Sequence, residues 1–193
     1  EIGVIADDSA NPIHLAADLL SQAEHDPRAR AIMVTTSETL ANAVSDEVER
    51  QLKLLPRESI ARPAIENNSY IAVMDSVEDM FTVMNEVAPE HLEIQLPDPM
   101  GYMSLVQNAG SVFLGAYASE PLGDYVGGTN HVLPTSGTAR FSSPLGVYDF
   151  VKRTSFTQFT KERLEEVATH ITTLARTEGL EAHARAIEVR FEK

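Results

Sequence analysis

Cysteine and tryptophan are both absent from the 193 residues. Without cysteine there are no disulfides, no thiolate metal sites, no iron–sulfur clusters and no sulfur nucleophile. A reducing compartment is compatible with this composition but not required by it. Base is scarce: 15 Lys and Arg stand against 29 Asp and Glu, a formal charge of -14. Binding to nucleic acid or to an anionic membrane surface, both driven by positive charge, is disfavoured. No apolar run approaches the roughly 20 residues that cross a bilayer. The opening Glu1-Ile2-Gly3-Val4-Ile5-Ala6-Asp7-Asp8 lacks the basic start of a secretory signal. It begins without Met, directly in an apolar run, and reads as part of something longer.

What is present is a foldable chain, 43% hydrophobic and 23% charged, too apolar for disorder. Its length suits one domain with a small appendage at roughly 150 residues per domain. Short apolar runs at 3–6, 31–35, 70–74, 92–95 and 111–114 are expected as strands. Between them lie helical patterns. Asn11-Pro12 caps a helix from Pro12 to about His25. Ser37 opens another, with Leu40, Val44, Val48, Leu52 and Leu55 at helical spacing. A short helix or loop is expected at 61–67, and Asp75 with Glu78 forms a capping box for a helix to about Glu86. Another short helix is expected around Tyr102 to Asn108. Such alternation predicts an α/β fold, a mainly parallel sheet flanked by helices in an incomplete Rossmann-like arrangement. Function on such sheets is expected at the carboxyl ends of the strands.

A glycine-rich loop is predicted from Gly115 to Gly137. An extended segment at Arg153 to Phe159, a helix from Thr160 to Arg176, a Gly179 cap and a final helix to the chain end then follow. This gives an α/β part at 1–145 and a small, mostly helical C-terminal part at 146–193.

Three groups carry candidate chemistry. Gln22 and His25 share a helix face and offer oxygen and nitrogen to a divalent ion; the same pair equally suits an ordinary solvated helix end. Glu90-His91, after the Ala88-Pro89 break, sets a carboxylate beside an imidazole, which suits acid–base work only if a turn aims both at one site. The dense cluster Gly123-Asp124-Tyr125-Val126-Gly127-Gly128-Thr129-Asn130-His131 matches no phosphate loop, and no dinucleotide fingerprint occurs anywhere. A polar loop this long is expected to be functional. Glu178 and His183 flank the Gly179 break, while His14 and His170 read as structural or surface histidines.

Together these blocks resemble the C-terminal part of histidinol dehydrogenase. The resemblance rests on Ile5-Ala6-Asp7-Asp8, Asp18 to His25, Ala88 to Glu93 and Asn108 to Gly115. It continues through Gly123-Asp124-Tyr125, Gly128 to Thr135 and Glu178 to His183, in order over essentially the whole chain. It implies a cytoplasmic, zinc- and NAD-dependent homodimer that oxidises L-histidinol through the aldehyde to L-histidine in histidine biosynthesis. The implied zinc ligands are Gln22, His25, Asp124 and His183, although manganese or cobalt also accept such donors. His91 matches the general base and Glu90 the carboxylate that activates water. Gln22, His25, His91, Asp124, Glu178 and His183 are implied to bind substrate, with Glu178 and His183 completing the neighbouring subunit's site.

The family's N-terminal half, with its NAD-contacting residues and a substrate-contacting serine, is absent, so no cofactor-binding residue is assigned here. The piece alone is expected to be inactive. Asp26 replaces a usual glycine, and Gly3 replaces a bulky residue, which is expected to loosen the first strand slightly. The alternative is a non-catalytic module binding a metal or small ligand.

Overall fold

The computed structural model describes residues 1–192. The chain divides into two compact units, Glu1–Phe150 and Val151–Lys193. The first holds a five-stranded sheet: β1 (Ile2–Ala6), β2 (Ala31–Thr35), β3 (Tyr70–Val73), β4 (His91–Gln95) and β5 (Ser111–Leu114), in the order β3-β2-β1-β4-β5. Every pairing is parallel. The expected strands are all present. β1, β2 and β4 are buried along their whole length, as expected where helices cover both faces.

Two cores lie on opposite faces of this sheet. One joins Ile2, Val4, Ala6 and Met33 to α1 (Pro12–Ala23), α2 (Glu38–Leu52) and α3 (Glu58–Asn68). The other joins Ile5, Ile32, Val34, Leu92 and Ile94 to Met80, Phe81 and Met84 of α4 (Val77–Val87). Strand alternation explains the division, because neighbouring side chains face opposite ways. The α2 periodicity reads as expected: Leu40, Val44, Val48 and Leu52 are its buried residues.

Local differences from the sequence expectations have physical causes. α3 starts at Glu58 and holds Pro63 inside it; Arg62 pairs with Glu58 and Glu66 one turn either way and with Glu49 of α2, which supports the interrupted ladder. The α4 cap is Ser76, whose Oγ accepts from the Asp79 amide at 3.1 Å and donates to its carboxylate at 2.7 Å, one residue beyond the expected Asp75–Glu78 box. The segment Pro99–Leu105 is 3-10 rather than α-helical and stops before Asn108. Gly3 does not loosen β1. A Cβ there would lie 2.7 Å from Met84 Sδ and 3.0 Å from Pro89 Cγ, so α4 and the Pro89 turn use the missing side chain to approach the strand closely.

Within the second unit, residues 151–160 form neither helix nor strand. Thr160 caps α6 (Lys161–Thr177) by accepting from the Arg163 amide. Gly179 then takes φ +74, a left-handed cap. α7 (Glu181–Glu188) packs on α6 through Thr172, Ala175 and Ala184, and Arg176 bridges Glu181 and Glu188. α7 stops at Glu188, short of the expected chain end, and Lys193 lies outside the described residues. Leu174 of α6 is 66% exposed.

Candidate active site

The topology turns the expected position of the site around. α1 leaves the carboxyl end of β1 and must return across the sheet before β2 can run parallel to β1. Its last turn therefore reaches the amino edge of the strands. There β4 begins at His91, in register with Ile2 of β1 and Ser111 of β5. The site forms at this amino edge, not at the carboxyl ends.

β4 carries the polar side of the site. Leu92 and Ile94 join the core on the α4 face, so His91, Glu93 and Gln95 face α1. Ala88 caps α4 with φ 50, and the bend at Pro89-Glu90 then delivers His91 to the strand. The chain turns before the strand, and Glu90 Oε2 accepts from the Glu1 amino group at 3.1 Å.

The segment expected as a loop contains a short helix, α5 (Glu120–Tyr125), against α1. Its position depends on contacts distant in sequence. The Glu120 amide donates to Glu93 Oε1 at 3.0 Å, and Ser21 Oγ lies 3.2 Å from Glu120 Oε2. A Cβ on Gly123 would lie 2.7 Å from the Phe113 ring, so only glycine permits this approach. Phe113 also lies beside His91, with ring centroids 6.1 Å apart.

These elements bring His91, Glu120 and Asp124 together, one donor atom from each lying within 4.8 Å of the others. His91 Nδ1 lies 3.2 Å from the Glu1 carbonyl. His91 Nε2 is buried without a hydrogen-bond partner and lies 4.0 Å from Glu120 Oε1. Burial lowers the His91 pKa from its ordinary value, favouring the neutral ring. Burial, then the neighbouring Asp124, pushes Glu120 up to about 7. At Asp124 burial opposes charge, but hydrogen bonds with His131 and Glu120 outweigh it and lower the pKa. The His131–Asp124 contact is 2.7 Å.

Other expected residues are placed less directly. Gln22 follows Ser21 at the end of α1; its Oε1 is buried with no hydrogen-bond partner, an acceptor open to an electrophile. His25 lies just beyond α1 and is exposed. Glu90 is half-buried and raises the His91 pKa through its charge. Glu178 and His183 are exposed residues of the second unit, at the α6 cap and on α7. His14 and His170 are exposed on their helices.

Sequence reasoning missed Glu120 as a member of the cluster. The available signal was its i, i+4 spacing to Asp124, obscured by Gly123, which disfavours helix. It also missed the carboxyl pair Asp18–Glu93, although His91, Glu93 and Gln95 form a polar stripe along an otherwise apolar parallel strand.

Comparison with known proteins decides the family: the histidinol dehydrogenase family model matches residues 1–191. The chain belongs to the histidinol dehydrogenase family. It is 69% identical over 192 residues to the histidinol dehydrogenase of Lactiplantibacillus plantarum, covering 100% of this chain and 45% of that protein. It is 62% identical over 193 residues to the Streptococcus mutans enzyme of the same name, covering 100% of this chain and 45% of that protein. The crystal structure of histidinol dehydrogenase from Elizabethkingia anophelis superimposes with a TM-score of 0.88 at 42% identity, covering 99% of this chain and 44% of that one. The chain thus spans less than half the length of these relatives.

Proposed function

We propose that this chain is the substrate- and metal-holding part of a cytoplasmic, homodimeric histidinol dehydrogenase, which oxidises L-histidinol through L-histidinaldehyde to L-histidine. The observation that carries this reading is the buried, unpartnered Nε2 of His91 facing the carboxyl groups of Glu120 and Asp124. A neutral imidazole with an open nitrogen is a general base waiting for a proton.

Each oxidation removes a hydride and a proton from substrate. His91 takes the hydroxyl proton at Nε2. Glu90 takes a proton from the water that adds to the aldehyde carbon. The hydride passes to NAD, which no residue of this chain is assigned to bind. Gln22, His25, Asp124 and His183 would hold zinc, with Glu178 beside the substrate. The unpartnered Gln22 Oε1 and the negative Asp124 suit a site of mixed nitrogen and oxygen donors. Bound zinc would supply an electrophilic anchor for the substrate's imidazole and amine. Glu178 and His183 complete the site of the neighbouring copy.

The test pairs metal content with mass in solution, then joins the chain to the part of a relative that it does not cover and adds histidinol and NAD. One zinc per chain in a dimer, with histidinol-dependent NAD reduction on restoration, is expected. A restored protein that binds neither zinc nor histidinol would sink the proposal and favour a structural or non-catalytic module.

A further inference from the structure

Glu93 is completely buried in the middle of β4, on the face that packs against α1. A carboxyl group in such a place needs partners for its oxygens. Three groups meet it. Oε1 accepts the Glu120 amide at 3.0 Å, Oε2 accepts from Gln95 Nε2 at 3.2 Å, and the Asp18 carboxyl of α1 stands near enough to push the Glu93 pKa up. Two carboxyl groups can share a hydrogen bond only when one of them carries the proton. The three groups come from β4, α1 and α5, the elements that also deliver His91, Gln22 and Asp124.

The Glu120 contact matters most for the site. Glu120 is the first residue of α5, and Ser119 before it makes no side-chain cap. Glu93, 27 residues earlier in sequence, supplies the acceptor that this helix start otherwise lacks. α5 is six residues long and includes Gly123, so its own propensity cannot hold it. Asp124 lies one turn beyond the held amide. On the other side, Asp18 stands one turn before Gln22 on the same face of α1.

We propose that Glu93 is a positioning residue, which bonds the first amide of α5 and faces the Asp18 carboxyl of α1 and so fixes Asp124 and Gln22 opposite each other across the amino edge of the sheet. It touches neither metal nor substrate and acts through the two residues that the proposed function assigns to zinc. The inference therefore deepens that reading.

Its test separates the two. In the unaltered chain, hydrogen exchange followed residue by residue is expected to show the Glu120 amide protected well beyond that of exposed Gly128. Glu93→Gln keeps an oxygen acceptor for that amide and puts an N–H donor where the carboxyl proton faces Asp18, so protection and zinc affinity are expected to stay within about threefold. Glu93→Met fills similar volume without an acceptor. Protection at Glu120 is then expected to vanish and zinc affinity to fall by about 10- to 100-fold, as for loss of groups that orient metal ligands.

Rapid exchange at Glu120 in the unaltered chain would overturn the proposal even if Glu93→Met did not fold. So would unchanged protection in Glu93→Met. A chain that binds no zinc but keeps a protected Glu120 amide would refute the metal reading and leave the clamp standing. Zinc affinity equal in all three chains would show that the clamp does not position the metal ligands.

Discussion

His91 Nε2 and Glu120 Oε1 face each other across 4.0 Å, and the nitrogen is buried without a hydrogen-bond partner. The gap is wider than a hydrogen bond. The pair meets only because β4 places one residue at the sheet's amino edge and α5 folds the other, 29 positions later, back against α1.

If His91 is the base, removing it costs turnover and not metal. In the chain joined to the part of a relative that it does not cover, His91→Asn is expected to lower histidinol-dependent NAD reduction by about 10²- to 10⁴-fold, the usual contribution of a positioned base. Zinc content is expected to be unchanged. Because burial lowers the His91 pKa from 6.5, the ring stays neutral through neutral pH. The base-dependent rate is expected to hold as pH falls to that value and to decline only below it. A rate already falling between pH 8 and 7 (roughly where an unburied imidazole paired with carboxylates titrates) would contradict this assignment.

Glu93 links the site to stability. Burial, then the Asp18 charge, pushes its pKa from 4.5 up to about 8. In the window between those values the unfolded carboxyl is ionised while the folded one keeps its proton, so the unfolded chain binds fewer protons and stability falls as pH rises. Glu93→Gln has no proton to lose. Relative to the unaltered chain it is expected to be more stable above the window, by on the order of 1 kcal/mol per unit of displacement, and the difference is expected to close below it. Urea denaturation across the window measures this. A constant difference at all pH values would contradict the protonated state.

Asp124 and Gln22 are tested together. Asp124→Ala and Gln22→Leu are each expected to weaken zinc binding by at least about tenfold in chelator competition. His131→Ala is expected to weaken it by about 10- to 100-fold, because the ring orients the Asp124 carboxylate. Wild-type affinity in Gln22→Leu would remove Gln22 from the ligand set.

Gly123 carries a steric prediction. Its absent Cβ would lie 2.7 Å from the Phe113 ring, and that ring is also packed beside His91. Gly123→Ala is expected to destabilise the chain by about 1–3 kcal/mol, as overpacking does, measured by chemical denaturation. Combining it with Phe113→Leu, which makes room, is expected to recover part of the loss. Equal losses with and without Phe113→Leu would show that the ring is not what the methyl meets.

The sequence alone determined the layers of this protein. Apolar runs such as Ala31–Thr35 and the spacing of Leu40, Val44, Val48 and Leu52 are local patterns whose periods differ between strand and helix, so they are readable without a fold. The blocks around Gln22, Glu90-His91, Asp124 and His183 were legible as chemistry for the same reason: each is contiguous. Only tertiary structure decided where the chemistry collects. Direction along a strand leaves no mark on its apolar pattern, so the placement of the site at the amino edge follows from the return of α1 and not from any motif. α5 read as loop because it is only six residues long and Gly123 opposes a helix locally; an acceptor on Glu93 and the ring of Phe113 reverse that preference from far away in sequence. Glu120 and Glu93 look like ordinary acidic residues among 29, and their roles come from burial and from partners that exist only once β4, α1 and α5 meet.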